Sequence, residues 1–371
     1  MDYLSLLLSR PGAVAGGGVD AAVAAHYGQP LKEQRALADG RAVVDLSHLG
    51  VVTVSGPDRL SWLDTLSSQR VNGLAAGQSS QLLLLDIQGR IDFDIRLVDD
   101  GATAWLIVEP GLAAGLAEFL ERMRFMLRVE VADVSAAWAV VAATADVPAF
   151  DGLAAWRDPW PEVGAGGFSY AVVETERHPG RERPWTEWLL PQDELDSRTE
   201  GLELAGMMAA EALRVAAWRP RQGFETDNRA IPHELDLIRT AVHLAKGCYK
   251  GQETIARVHN LGHPPRRLVF LQLDGSQHTL PALDSPVTLD GRTVGRVSSV
   301  AQHYEMGPIA LALVKRTVDP TAVLTIVDST GSQDTEGNPV VEEYVAAQEI
   351  IVAPDAGQVV GRQSGFLRPP R

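Results

Sequence analysis

The 371-residue chain holds a single cysteine, Cys248. An internal disulfide is therefore excluded, and one thiolate alone supplies neither a structural zinc site nor a four-thiolate cluster site. A reducing compartment is the expectation that follows. Long hydrophobic runs are also lacking. Nothing approaches the roughly 18 apolar residues of a membrane helix, and the leucine-rich stretch at 4–8 is too short and wrongly flanked for a secretory leader. Positive charge is in deficit: 33 Lys+Arg face 48 Asp+Glu, giving −15 and a pI near 5.0. Such a surface repels nucleic-acid backbones, though it leaves room for a small anion in a local basic pocket. The expectation is a cytoplasmic monomer with no membrane and no direct nucleic-acid partner. No Walker sequence is present, the glycines at 12–18 follow no strand as a dinucleotide fingerprint requires, and no repeat of solenoid length occurs.

What is present is ordinary globular composition, 45% hydrophobic and 22% charged, enough for two or three domains at about 150 residues each. Residues 11–18 read as a flexible lead-in. Strands are expected at 42–46, 51–54, 82–86, 91–98 and 104–108, with helices at 58–69 and 110–127. Leu112, Leu116, Phe119, Leu120 and Met123 mark the buried stripe of the second helix. This order suggests α+β layers with helices on one face of an antiparallel sheet. Residues 146–185 are rich in Pro, Gly and Trp and read as irregular, with one strand at 170–174. A helix is expected at 202–217. After His263-Pro264-Pro265 the texture turns all-β, with strands at 268–273, 287–289, 294–300, 309–314 and 323–327. A hairpin is expected at Asp290-Gly291, an acidic loop at 329–343, and a closing strand at 350–352.

The densest chemistry is Lys246-Gly247-Cys248-Tyr249-Lys250-Gly251-Gln252-Glu253. Thiolate is the reactive form of cysteine, and nearby cations favour it. Lys246 and Lys250 stand two residues to either side of Cys248. Gly247 and Gly251 permit unusual backbone angles and close approach. The plainer reading is a small buried hydrophobe between solvated lysines. His259 and His263 are four apart, but Gly262 and Pro264 interrupt the helix and no third ligand is evident. Arg219, Arg221, Arg266 and Arg267 form small basic islands, suited to holding a polyanionic tail or to facing solvent. The tryptophans between 156 and 188 read as packing or pocket walls.

The octapeptide KGCYKGQE resembles the signature of the YgfZ family, folate-binding relatives of the glycine-cleavage T-protein (the GcvT-like aminomethyltransferases) that assist iron–sulfur proteins. Glu211-Ala212-Leu213-Arg214 through Gly223 and Ile231-Pro232-His233-Glu234-Leu235 resemble the stretch leading into that signature. Val294-Gly295-Arg296-Val297-Ser298-Ser299 and Ile309-Ala310-Leu311-Ala312 resemble the family's C-terminal barrel. The resemblance runs from about residue 40 almost to the end. It implies a three-domain cloverleaf around a central folate pocket: two α+β domains, at 30–50 with 134–265 and at 51–133, and a C-terminal β-barrel at 266–371.

By the same resemblance, Asp94 falls at the T-protein's catalytic aspartate, where a carboxylate can take a proton or steady a developing cation. Arg214 matches an arginine that contacts folate, whose carboxylate tail a guanidinium binds. Without the match, Asp92 and Asp94 would be solvent-facing alternates on a strand and Arg214 a helix-surface residue. The implied cofactor is tetrahydrofolate or a derivative, bound by Asp94, Arg214 and Tyr249, with no stable metal. Cys248 would be the reactive group, supported by Lys246 and with Gln252 and Glu253 holding the loop. The implied partners are iron–sulfur client or assembly proteins, among them radical enzymes that thiolate tRNA. The T-protein's Gly-Tyr-Thr-Gly-Glu segment, whose glutamate reads the pterin, has no counterpart near 170–185. That departure favours the accessory role over the alternative, a folate-dependent aminomethyltransferase or demethylase.

Overall fold

The computed structural model describes residues 3–333 and 339–358. Two five-stranded sheets and a closed six-stranded barrel organise the chain. The first sheet runs in the order Ala154–Arg157, Thr186–Pro191, Trp138–Ala143, Ala42–Asp45, Glu203–Ala205, with only the last pair parallel. The second is wholly antiparallel, in the order Ser79–Leu85, Ile91–Asp99, Thr103–Val108, Gly50–Ser55, Glu130–Asp133. The α+β class with a terminal barrel is thus the observed architecture.

Alternation explains the second sheet. Leu82, Leu84, Ile95, Leu97 and Leu106 pack on Trp62 and Leu63 of the helix Arg59–Leu66 and on Leu116 and Leu120 of the helix Ala113–Met123. Met123 leaves the expected stripe and is exposed, as are Phe125 and Met126 after it. A second core joins Val44, Val140 and Leu189 of the first sheet to Ala36 and Leu37 of the helix Pro30–Ala38 and Ala209 and Leu213 of the helix Met207–Ala216. The barrel interior is a third, filled by Val269, Leu271, Ala310, Ala312, Leu324 and Tyr344.

Several local expectations fail. Most of the acidic stretch at 329–343 lies in the strands Val323–Gln333 and Pro339–Ile350, which pair antiparallel; residues 334–338 lie outside the described part. A strand with one face turned to water tolerates alternate charged residues, so acidity hid it. No strand forms at 170–174, where Ala171 makes only an isolated bridge to Val352. The expected helix at 202–217 opens as the strand Glu203–Ala205 and turns helical at Met207. The lead-in is ordered: the strands Val14–Ala15 and Ala24–His26 form a small hairpin.

That hairpin is a strap pinned by charge. Asp20 accepts from both terminal nitrogens of Arg221 at 2.6 and 3.0 Å and lies 2.9 Å from His48 Nε2. Burial would raise the Asp20 carboxyl, but its bonds to His48 and Arg221 win and hold it far below the usual carboxylate range.

Candidate functional site: two adjoining cavities and an exposed thiol

The strand Ile91–Asp99 carries Asp92 and Asp94 on one face, two residues apart. Their fates differ. Asp92 is exposed, its carboxylate 3.8 Å from Lys250 Nζ. Asp94 lines a small inner cavity of about 60 Å³ between the two sheets and the segment that follows the helix Met207–Ala216. Gln81 donates to Asp94 Oδ1 at 2.7 Å, and the Asp94 amide donates to Gln222 Oε1 at 2.8 Å. Burial raises the Asp94 carboxyl, and Arg219, Gln81 and Arg96 offset that only in part.

Around Asp94 the same cavity gathers Arg96, Arg183, Arg214, Arg219 and Arg221 with Glu109, Asp158, Glu187 and Glu211. Arg96 bonds Glu109 and lies 3.3 Å from Glu187, and Arg221 reaches Glu109 at 2.8 Å. Burial alone would raise Glu109, yet Arg221 and Arg96 keep it below its ordinary value. Glu109 and Gln222 also line an outer cavity of about 680 Å³, walled by Ile91, Pro110, Leu112 and Phe224 and roofed by the strap at Gly17–Asp20 side. The two spaces therefore adjoin at these residues.

Arg214 is buried, not a helix-surface residue. Its Nε and Nη2 donate to Glu211, its Nη1 to Glu225 and the Arg219 carbonyl, and its Nη2 also to Ser299 on the barrel. All its donors are engaged, so direct contact with a folate requires one of these bonds to exchange. Arg214 acts first as the pin between helix and barrel. Tyr249 lines none of the described cavities and packs with Leu83, Leu85 and Ile255. Its hydroxyl is buried with no partner among the described residues, and burial raises it above the ordinary phenol value.

The signature segment sits across the turn that follows Leu85. Gly251 adopts φ +85°, and a Cβ there would stand 2.6 Å from the Asp86 carbonyl oxygen. Gln252 opens the helix Gln252–Leu261 and its side chain reaches back to the Lys246 carbonyl at 3.2 Å. Glu253 is exposed on the first turn. Lys246 is turned inward. Its ammonium donates to the carbonyls of Asp64, Ser67 and Gln69, the last two at 2.8 Å, and stands 5.6 Å from the Tyr249 ring centre. With Lys250 beside Asp92, both lysine ammoniums are committed elsewhere than the thiol. Cys248 itself is exposed, which sets aside the buried-hydrophobe reading.

His259 Nδ1 lies 3.1 Å from the Tyr170 hydroxyl, and His263 Nδ1 is 2.7 Å from the Ala356 carbonyl oxygen. Arg266 pairs with Asp227 and Glu234, while Arg267 is enclosed in the barrel wall. Only Arg219 and Arg221 of the four basic-island residues reach the cavity. Glu109, Asp158, Arg183 and Glu187 also line the inner cavity and belong to no motif legible in the sequence. Arg183-Pro184-Trp185 within the tryptophan-rich stretch was the available signal, a charge among pocket-wall aromatics.

This fold is that of the GcvT-like aminomethyltransferases. The glycine cleavage system aminomethyltransferase T of Bartonella henselae superposes with a TM-score of 0.68 at 19% identity, covering 94% of each chain. Residues 9–144 match the family described as the GCVT N-terminal domain. An Arabidopsis thaliana chloroplastic protein named "Putative transferase" is 25% identical over 312 residues, 73% of this chain and 66% of that one. Aminomethyltransferases of Symbiobacterium thermophilum and Cutibacterium acnes are each 26% identical, covering 74% and 82% of this chain and 78% and 88% of theirs. Domain and relatives together support a place in the GcvT-like superfamily. Among the described residues no helix is long and apolar enough to cross a membrane.

Proposed function

We propose that the chain is a tetrahydrofolate-binding protein that supports assembly or repair of iron–sulfur enzymes, and through them tRNA thiolation. The observation that carries the folate part is the outer cavity, which meets the inner cavity of Asp94 at Glu109 and Gln222. Its volume suits a ligand of folate size, and its apolar walls at Pro110, Leu112 and Phe224 suit an aromatic linker. Glu109, Gln222 and Asn228 offer acceptors to ring N–H groups. Lysine and arginine are not among its lining residues, which leaves the carboxylate tail to solvent. A reduced folate bound there supplies a carrier for one-carbon units. Asp94, its carboxyl raised by burial, would hold or release a proton in the inner cavity that adjoins this space.

The iron–sulfur part rests on Cys248. One thiolate cannot hold a cluster by itself, but an exposed thiol on a loop docked through Gly251, with Gly247 facing open space, is suited to meeting a partner. The test has two arms. Anaerobic calorimetry with tetrahydrofolate should show binding that Phe224→Ala weakens about tenfold or more. Complementation of a deletion strain should restore iron–sulfur enzyme activities with wild type and fail with Cys248→Ala at equal abundance. Absence of folate binding refutes the first arm, and equal rescue by both refutes the second.

Asp94 and the named relatives favour a second reading, aminomethyl transfer to tetrahydrofolate. Robust turnover with a methylene donor that survives Cys248→Ala would establish it in place of the first.

A further inference from the structure

We propose that the inner cavity binds a second, small ligand: a short carboxylate held by the guanidinium groups of Arg183 and Arg219. Arg96 faces Glu109 and Glu187, Arg214 faces Glu211 and Glu225, and Arg221 faces Asp20, Glu109 and Glu211. Arg183 and Arg219 instead share one oxygen of one carboxylate, Asp158 Oδ2, at 3.4 and 3.0 Å. Asp158 is thus the one carboxylate paired with either guanidinium among the ion pairs, while Asp94 and Glu187 act on Arg219 and Arg183 from farther off.

Donor accounting gives the same result independently. Arg183 Nε and Arg219 Nη1 are buried and have no acceptor among the described residues. Both side chains are more than nine-tenths buried. Buried unpaired donors on a charged group are costly, and a second carboxylate would satisfy donor and charge together. Water would satisfy only the donor. The guanidinium groups are also held in place: Arg183 lies 3.9 Å over the Trp185 ring and Arg219 5.4 Å from that of Trp160. Burial depresses Arg183 to about 10, with Asp158 opposing, as expected of a cation short of counter-charge.

Size defines the ligand class. About 60 Å³ holds roughly four to six water molecules at 10–15 Å³ each. A carboxylate with one to three further heavy atoms fits; a pterin ring does not. The residues shared with the outer cavity, Glu109 and Gln222, would separate a folate in the outer space from a short carboxylate in the inner one, where Asp94 lies. The binding claim does not depend on folate.

The test titrates acetate, glycine and acetamide into the full-length wild-type protein in chloride-free buffer at pH 7, followed by calorimetry and by ligand-induced thermal shift. Saturable acetate or glycine binding is expected, at least about tenfold tighter than acetamide, which has the same shape without the charge. Arg183→Gln and Arg219→Gln should each weaken it about tenfold. Equal response to acetate and acetamide in wild type overturns the proposal, and needs no variant to fold. So does binding that persists unchanged in both arginine variants. Tetrahydrofolate is titrated separately, so loss of folate binding with acetate binding retained counts against the folate reading alone.

Discussion

Lys246 offers the sharpest separation between structural and chemical roles for the signature segment. Its side chain is 2% exposed, and its three N–H donors meet three backbone carbonyls at 64, 67 and 69, with the Asp64 carboxylate 3.6 Å away. Burial lowers its pKa, opposed by Asp64, so the ammonium is retained at some desolvation cost. Lys246→Met keeps the stem and removes the charge. Hydrogen bonds to charged groups are worth about 1.5–3 kcal/mol each, but relief of desolvation offsets part of the loss, and breaking a buried charged contact costs about 3–5 kcal/mol. A net loss near the lower end, about 3 kcal/mol, is expected. At about 2 °C per kcal/mol for larger domains this lowers Tm by about 6 °C. Cys248→Ala, at an exposed position, should move stability by no more than about 0.5 kcal/mol. Differential scanning fluorimetry reads the first quantity, and iodoacetamide alkylation of native protein reads the thiol. A Lys246→Met protein that keeps its Tm within a degree but alkylates tenfold more slowly would refute the reasoning, because the ammonium would then be acting on the sulfur.

Asp94→Asn should stabilise the protein at pH 7–8. The raised carboxyl means the folded state holds its proton more tightly than the unfolded one, so that stability is complete below the ordinary carboxylate value and is lost as pH rises through the raised one. Asparagine keeps the acceptor for Gln81, and the advantage over wild type should vanish near pH 4 when thermal melts are compared; a deficit at pH 8 would contradict the assignment. Gly251→Ala sets a Cβ against the Asp86 carbonyl in a left-handed conformation, and should cost about 2–4 kcal/mol. Hydrogen exchange should show faster opening of residues 247–254, and unchanged protection there would count against the docking geometry. Glu225→Gln weakens the Arg214 pin, whose partners also include Ser298 and Ser299 through Glu225 Oε1 at 2.8 and 2.6 Å. A loss of about 2–4 kcal/mol in urea unfolding is expected.

Legibility in the sequence followed periodicity. The helix behind Leu116 and the strands at 51–54, 91–98 and 309–314 announce themselves because their apolar residues meet a core, in 309–314 on both faces. The strand at 323–327 was legible too, but its continuation to Gln333 and the strand Pro339–Ile350 were not, since acidic residues such as Asp328, Glu342 and Glu343 fall within them. The site divides in the same way. Cys248 and Asp94 stand in recognisable motifs, but the pairing of Arg183 and Arg219 with one carboxylate emerges only when residues 25 and 61 positions from Asp158 converge on it. Lys246 shows the converse: adjacency along the chain suggested an influence on the thiol, and the fold turns the ammonium away.

The strap at 14–26 carries a consequence for the order in which the molecule assembles on the ribosome. Asp20 finds Arg221 across 201 residues, Gln34 finds the Gln302 carbonyl across 268, and Ala42–Asp45 waits for Glu203–Ala205 to complete its sheet. At about 5–20 residues per second, the first of these partners arrives some 10–40 s after Asp20 is made. During that interval Val23, Leu37 and Val44, all wholly buried in the finished protein, lack the part of their core that Leu189 and Ala205–Leu213 supply. Residues 14–45 are thus fully covered only after the chain beyond residue 203 is made, while residues 51–133, whose sheet pairs only within itself, can close early.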